Sequence, residues 1–254
     1  MGIIGGDLGY LLLSRFYPRG EGVPMPSTSD PDKDFVKLNI FFSEEELQDF
    51  RGKTVVDFGC GEGRIAVALA LNGAARVIGL DIVSRHFDVG RRAATQNGVS
   101  DRVTFATSTL DKADIVLSCD AFEHFGDPAA ILRAMREVVA DDGYALITFG
   151  YTWYHPLGGH LFSVFPWAHL IFTEDCLMRW RSEFKSDGAT RFSEVEGGLN
   201  QMTIRRWERL VAESPFEIEW QRARPIGPAR WLYNRWTREF LTSTLQVKLR
   251  PRKR

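Results

Sequence analysis

The chain is short of cysteine, of net charge and of long apolar runs, and each shortage excludes something. Its 254 residues hold three cysteines, Cys60, Cys119 and Cys176. So few, and an odd number, cannot form a disulfide scaffold, and their spacing fits no zinc site. A reducing, cytoplasmic setting is the expectation. Net charge is −1, so no global field draws in nucleic acid. No apolar run approaches the ~20 residues that span a bilayer. The start through Tyr10, Leu11, Leu12 and Leu13 has no Lys or Arg ahead of it, which argues against a secretory signal. The one Gly-Lys-Thr, Gly52-Lys53-Thr54, has Leu47 where a phosphate loop needs its first glycine, and it runs into an apolar strand pattern, not a helix, so a nucleoside-triphosphate loop is excluded. At 44% hydrophobic and 26% charged residues, the composition suits a folded α/β domain and excludes disorder as the main state.

What charge there is lies unevenly. From Arg222 onward there are ten Lys/Arg and a single acid, Glu239. A solvated face ending in Arg250-Pro251-Arg252-Lys253-Arg254 is the expectation; docking onto RNA or a protein is the alternative.

From Thr54, short apolar runs alternate with helical patterns. Thr54–Phe58, Arg76–Leu80, Val103–Thr107, Asp114–Cys119 and Tyr144–Phe149 read as strands. Helices are expected over Ile65–Leu71, Ser84–Gln96 and, with Asp127 as cap and Pro128 next, up to about Ala140. Asp141-Asp142-Gly143 reads as a turn. Such alternation gives a parallel sheet with helices on both faces. Ahead of it, Ser43-Glu44-Glu45-Glu46 is a capping box opening a short helix. After strand five the alternation stops until a helix at Thr203–Glu213, a strand at Phe216–Arg222, a helix at Pro228–Phe240 and a closing strand at Leu245–Leu249.

The informative segment is Val55-Val56-Asp57-Phe58-Gly59-Cys60-Gly61-Glu62-Gly63, between a strand and a helix. Glycines there let bare backbone approach a ligand. The spacing is Gly-x-Gly-x-Gly, and Asp57 stands at the strand end. That carboxylate would repel a pyrophosphate and attract an ammonium. The ligand is therefore a nucleoside with a cationic tail. Asp81, which ends the second strand, can accept both hydroxyls of a ribose, and Ile82 can lie against adenine.

These pieces, VVDFGCGEG, VIGLDI, DIVLSCDAFEHFGDP and DDGYALITF, resemble class I S-adenosylmethionine-dependent methyltransferases, especially the ubiquinone, sugar and polyketide group. The resemblance covers roughly residues 50–150. It implies a Rossmann-like α/β fold with a seven-stranded, mostly parallel sheet whose last strand is antiparallel. It also implies S-adenosyl-L-methionine as cofactor, with S-adenosyl-L-homocysteine as product. Asp57, Phe58 and the backbone of Gly59 and Gly61 would hold the methionine part, Asp81 the ribose and Ile82 the adenine. Cys119, Asp120 and Ala121 would meet the amino group. Where the family usually has an adenine-binding Asp, Ser108 or Thr109 stands, with Asp111 as alternative.

The expected division is an N-terminal cap (1–50), a cofactor-binding core (51–150), an insertion lining the acceptor site (151–200) and the rest of the sheet (201–254). Seven aromatics fall between Tyr151 and Phe172, together with His155, His160 and His169. An aromatic wall with few polar groups suits a small organic acceptor. Tyr151, Tyr154 and His160 are the expected acceptor-binding residues. By the resemblance His124 is the first candidate base, with His155 second. No metal is expected, and neither nucleic acid nor membrane is an expected partner. The motifs of adenine, cytosine and protein-arginine methylation are missing, which leaves a small molecule.

Overall fold

The computed structural model describes residues 2–16, 38–162, 165–185, 187–195 and 198–253. Part of the expected N-terminal cap (17–37) and Arg254 of the basic tail lie outside the described residues.

Seven strands form one sheet: β1 (Thr54–Phe58), β2 (Arg76–Leu80), β3 (Val103–Ala106), β4 (Ala113–Cys119), β5 (Val139–Phe149), β6 (Phe216–Pro225) and β7 (Thr242–Pro251). Their order is β3-β2-β1-β4-β5-β7-β6. β7 runs antiparallel to both its neighbours, and the first five strands are mutually parallel. The strand order reverses between β1 and β4, which opens a crevice at their carboxyl ends.

Parallel strands covered on both faces need apolar residues at nearly every position. β4 shows this, with all but one of its residues buried. One face packs Val56, Val116, Ile147 and Phe149 against helices at Pro128–Val138 and Ile204–Ala212, through Leu132, Met135 and Trp207. The other packs Val55, Val77, Ile115 and Leu117 against the helix at Arg64–Leu71 and against Leu38, Phe42, Leu47 and Phe50. The Ser43 capping box forms as its sequence dictates: Ser43 Oγ accepts from the Glu46 amide at 3.2 Å, and Glu46 accepts from the Ser43 amide at 2.9 Å.

A third core stands off the sheet. The helix at Gly6–Phe16 packs through Leu13 against Phe162, Phe172, Leu177 and Trp180 of the insertion. Backbone bonds from Ile3 and Ile4 to the Ile171 carbonyl, and from Thr173 to the Ile4 carbonyl, fasten the two together. The aromatic run 151–172 thus buries much of itself.

Two elements depart from the sequence expectation. Asp141-Asp142-Gly143 is not a free turn before strand five but a bulge within β5. Val139 already pairs with Ala113 before Tyr144 pairs with Ile115. Gly143 is needed there, because a Cβ would stand 2.6 Å from the Asp114 carbonyl. The expected helix Pro228–Phe240 is two pieces, a 3₁₀ stretch at Gly227–Leu232 and a short helix at Arg238–Leu241. Asn234 divides them: its Oδ1 accepts from the amides of Trp236 (2.8 Å) and Thr237 (3.3 Å), a local turn that competes with helix. Trp231 and Trp236 are consequently 81% and 72% exposed, not packed against the sheet.

Candidate active site

β1 ends at Phe58, and the next helix starts at Arg64. Gly59, Gly61 and Gly63 between them all have left-handed φ, +80°, +52° and +77°. Two of them are glycine for packing. A Cβ on Gly59 would stand 2.9 Å from Ala121 Cβ, and one on Gly63 would stand 2.1 Å from the Phe105 ring. A Cβ on Gly61 would meet nothing within 4 Å. The middle glycine therefore turns bare backbone toward open space, as a ligand cradle requires.

Asp81 braces this loop. Its Oδ2 accepts from the Gly61 amide and its Oδ1 from the Val83 amide, each at 2.8 Å. Each carboxylate oxygen has two lone pairs, so capacity remains for two ligand hydroxyls. Asp57 is buried at the end of β1, 1% exposed. Burial, followed by the charges of Asp57 and Asp81, pushes the Cys60 thiol well above its ordinary pKa. The loop thus sits between two carboxylates, which disfavours an anion and suits a cation. Ile82 projects from the next position, 91% exposed. Phe58 is half-buried, edge-on to Phe125 at 6.2 Å.

Beyond β3, Ser108 is exposed, and Thr109 Oγ1 accepts from the Asp111 amide at 3.1 Å. Asp111 is turned away. It pairs at 2.6 Å with Arg76, the first residue of β2, at the opposite end of the sheet from the glycine loop. Asp111, the alternative adenine partner, is thus engaged at the end of β2 away from the glycine loop.

At the end of β4, Cys119 and Ala121 are buried, and Asp120 takes a left-handed φ of +47° with its amide bonded to the Thr148 carbonyl at 2.9 Å. This kink feeds the 3₁₀ turn Phe122–His124. Asn200 fixes that turn: its Nδ2 donates to the carbonyls of Phe122 (2.8 Å) and Phe125 (2.9 Å), and its amide donates to the Glu123 carbonyl (2.9 Å).

The turn brings three groups together. Glu123, only 3% exposed, accepts through Oε1 from the Gly150 amide at 3.3 Å, and its buried Oε2 has no hydrogen-bond partner. His124 Nδ1 lies 2.7 Å from the Gly198 carbonyl. His160 comes in from the insertion, its Nδ1 3.2 Å from the Gly158 carbonyl and its Nε2 3.8 Å from Glu123 Oε1. The two imidazoles meet edge to face at 5.2 Å. Burial pulls the His160 pKa down, but the Glu123 carboxylate outweighs it and leaves that pKa raised.

His155 stands apart from this group. It is buried, stacks on Tyr151 at 4.2 Å, and its Nδ1 already accepts from the Leu157 amide at 3.0 Å. Burial, with His169 and His160 adding, pushes its pKa down to about 4. Tyr151 and His160 line a narrow crevice with Glu123, Trp153, Gln201 and Met202. Tyr154 packs instead on Phe240 at 5.2 Å, outside that crevice. His169 is buried, its Nε2 2.7 Å from the Trp153 carbonyl. Sequence reasoning missed Glu123 and Asn200. Adjacency to His124 could have flagged Glu123; nothing local marks Asn200, which lies 78 residues from the carbonyl it holds.

A seven-stranded sheet in this order, with a carboxylate-flanked glycine loop at the β1/β4 reversal, defines a class I S-adenosylmethionine-dependent methyltransferase. The methyltransferase domain family matches residues 36–219, and the chain belongs to it. Among curated proteins, it is similar to the ubiquinone biosynthesis O-methyltransferase of Neisseria meningitidis serogroup C (strain 053442), with 39% identity over 102 residues, 37% of this chain and 43% of that one. It is also similar to the ribosomal protein L11 methyltransferase of Aeromonas hydrophila, 51% identical over 97 residues, 38% of this chain and 32% of that one. The chain spans less than half the length of these relatives. Among solved structures, the fold matches the mitomycin 7-O-methyltransferase MmcR (TM-score 0.56, 18% identity, 87% of this chain and 53% of that one). It also matches an S-adenosylmethionine-dependent methyltransferase from Mesorhizobium loti (TM-score 0.54, 18% identity, 87% of this chain and all of that one). S-adenosylmethionine is the cofactor of this family, and the open Gly61 backbone beside Asp57 and Asp81 suits its cationic amino acid and neutral ribose.

Proposed function

We propose that this chain transfers the methyl group of S-adenosylmethionine to a small organic acceptor. The observation that carries the reading is the crevice at the end of β4, where Tyr151, Trp153 and Met202 surround Glu123 and His160. Its wall mixes aromatic and apolar side chains with a few polar groups, and as it stands the crevice is closed, with no free space for a water molecule, so an acceptor enters only by parting these side chains.

In this reading Asp57, Phe58 and the backbone of Gly59 and Gly61 hold the methionine portion, and Asp81 accepts from the ribose hydroxyls. Ile82 covers adenine, with Ser108 or Thr109 at its amino edge. The backbone at Cys119, Asp120 and Ala121 faces the amino group. The cofactor supplies an activated methyl on a sulfonium, so the chain's main task is alignment of the acceptor with it. Glu123, His124 and His160 hold the acceptor's nucleophilic group, while Tyr151 packs on its body. His155, with its depressed pKa and occupied Nδ1, supports Tyr151 instead of taking a proton.

The basic C-terminal part argues against a nucleic-acid acceptor. Arg222 and Arg224 lie on β6, and β5 and β7 separate that strand from β4. At ~4.8 Å per strand the separation is about 14 Å across the sheet. Arg222 is also engaged by Glu46 and by the Trp220 ring. The test is calorimetry with S-adenosylhomocysteine, then turnover against phenolic and quinol acceptors, RNA and ribosomal protein side by side. Turnover of the small acceptors alone supports the reading; turnover of RNA or protein alone overturns it.

A further inference from the structure

The Glu123–His124–His160 cluster has features that proton transfer alone does not require. One ligand atom from each residue lies within 4.8 Å of the other two. Both imidazoles are tied through Nδ1 to a backbone carbonyl, His124 to Gly198 at 2.7 Å and His160 to Gly158 at 3.2 Å. With the Nδ1–H donating to a carbonyl, each ring is fixed in the tautomer that leaves Nε2 with a free lone pair. That is how ligating histidines are oriented in metal sites. His160 also holds a left-handed φ of +51°, a conformation that costs a non-glycine residue free energy and marks functional positions. Glu123 completes the set. Its Oε2 is buried with no hydrogen-bond donor, although the residue is only 3% exposed. A buried, unsatisfied carboxylate oxygen costs several kcal/mol unless a cation meets it. Arginine and lysine supply none here: no Lys or Arg ion pair to Glu123 occurs among the described residues, and its one charged partner is His160.

We propose that Glu123, His124 and His160 bind a divalent transition-metal ion of the zinc type. Two imidazoles and one carboxylate suit such an ion, whereas magnesium and calcium prefer all-oxygen sets. Neighbouring ligands of a tetrahedral ion with ~2.1 Å bonds stand about 3.4 Å apart, so side-chain rotations that close the separations by about 1 Å bring all three atoms onto one ion. Glu123 and His124 come from the β4 exit and His160 from the insertion, so the ion ties the insertion to the sheet. Three protein ligands leave a coordination position open. Resting on the methyltransferase reading above, that position takes an acceptor hydroxyl. The ion lowers the hydroxyl's pKa, its proton passes to solvent, and the oxygen forms a bond to the methyl carbon as the carbon–sulfur bond breaks and a neutral thioether leaves. The substrate class this selects is an alcohol or phenol, not an amine that is protonated in water.

The experiment is calorimetric titration of chelator-treated full-length chain with Zn²⁺, run beside S-adenosylhomocysteine titration of the same samples. A single saturable equivalent is expected. Glu123→Gln and His160→Gln, which keep volume and polarity, should each weaken Zn²⁺ binding by about tenfold or more, with His86→Ala unchanged as a control outside the cluster. Absence of saturable Zn²⁺ binding overturns the proposal, as does wild-type affinity in both cluster variants. S-adenosylhomocysteine binding separates the two readings. If Zn²⁺ binds the cluster and S-adenosylhomocysteine does not bind, the metal site stands and the methyl-transfer reading fails. The reverse result removes the metal site alone.

Discussion

The Asp81 carboxylate and the Gly61 amide are joined by a hydrogen bond of 2.8 Å. One acidic side chain at the end of β2 thereby shapes the loop that follows β1, and it keeps lone pairs for a ligand. Loop geometry and ligand recognition depend on the same two oxygens. For Asp81→Asn we expect S-adenosylhomocysteine affinity to fall by roughly ten- to a hundredfold, the size of losing charged hydrogen bonds. The melting temperature should fall only modestly, because one of the two oxygens that accept backbone amides becomes a nitrogen that cannot. Calorimetry checks the first and a thermal melt the second; unchanged affinity would remove Asp81 from the cofactor site.

Gly61 and Gly63 should separate ligand binding from folding. Gly63→Ala places a methyl 2.1 Å from the Phe105 ring at φ +77°. Strain and overpacking together predict a loss of about 2–4 kcal/mol in urea unfolding. Gly61→Ala meets no atom and carries only the backbone cost, about 1 kcal/mol. Its methyl, however, occupies the cradle. We expect near-normal unfolding with strongly reduced S-adenosylhomocysteine binding.

His155 makes folding sensitive to acid. Its folded pKa is about 4, below the ordinary 6.5, mainly because it is buried. The unfolded chain therefore binds the extra proton first. The stability linked to His155 is fully present above pH about 6.5 and is lost as pH falls from there toward 4. His169, also depressed by burial, acts in the same direction. His155→Gln should flatten the fall in urea midpoint between pH 7 and 5 without abolishing it. An identical slope in wild type and variant would show that His155 is not buried neutral.

Asn200 holds the turn that presents Glu123 and His124. Asn200→Ala removes the two side-chain bonds to Phe122 and Phe125, and we expect a loss of about 1–3 kcal/mol with a larger fractional loss of turnover than of cofactor binding. A comparison of kcat with S-adenosylhomocysteine affinity tests this. His124→Ala should likewise retain the cofactor and lose turnover.

The tryptophans divide by burial, not by residue type. Trp207 is fully buried, meets Phe122 edge-on and packs at a tilt on Phe149; Trp207→Ala should cost about 3–5 kcal/mol. Trp231, 81% exposed, should be replaceable by serine within about 0.5 kcal/mol. Equilibrium unfolding of both variants decides it.

The amino-acid sequence by itself determined the sheet and the cofactor loop. Buried parallel strands must be nearly continuous in apolar residues, and a ligand loop between strand and helix must spend glycines. Both are local patterns, visible at Thr54–Phe58 and Gly59–Gly63. The Ser43 capping box was legible for the same reason. The bulge at 140–143 and the break at Asn234 were not, because pairing with β4 and a side chain turning back on its own backbone overrode the periodicity. Only the tertiary structure decided which side chains meet at the β4 exit. It sent Asp111 to Arg76, at the end of β2 away from the glycine loop, buried His155 and His169 within the insertion, and joined Glu123 and His124 to His160. Those groups come from segments distant in sequence, and the packing of the insertion on the sheet is what sets the distances between them.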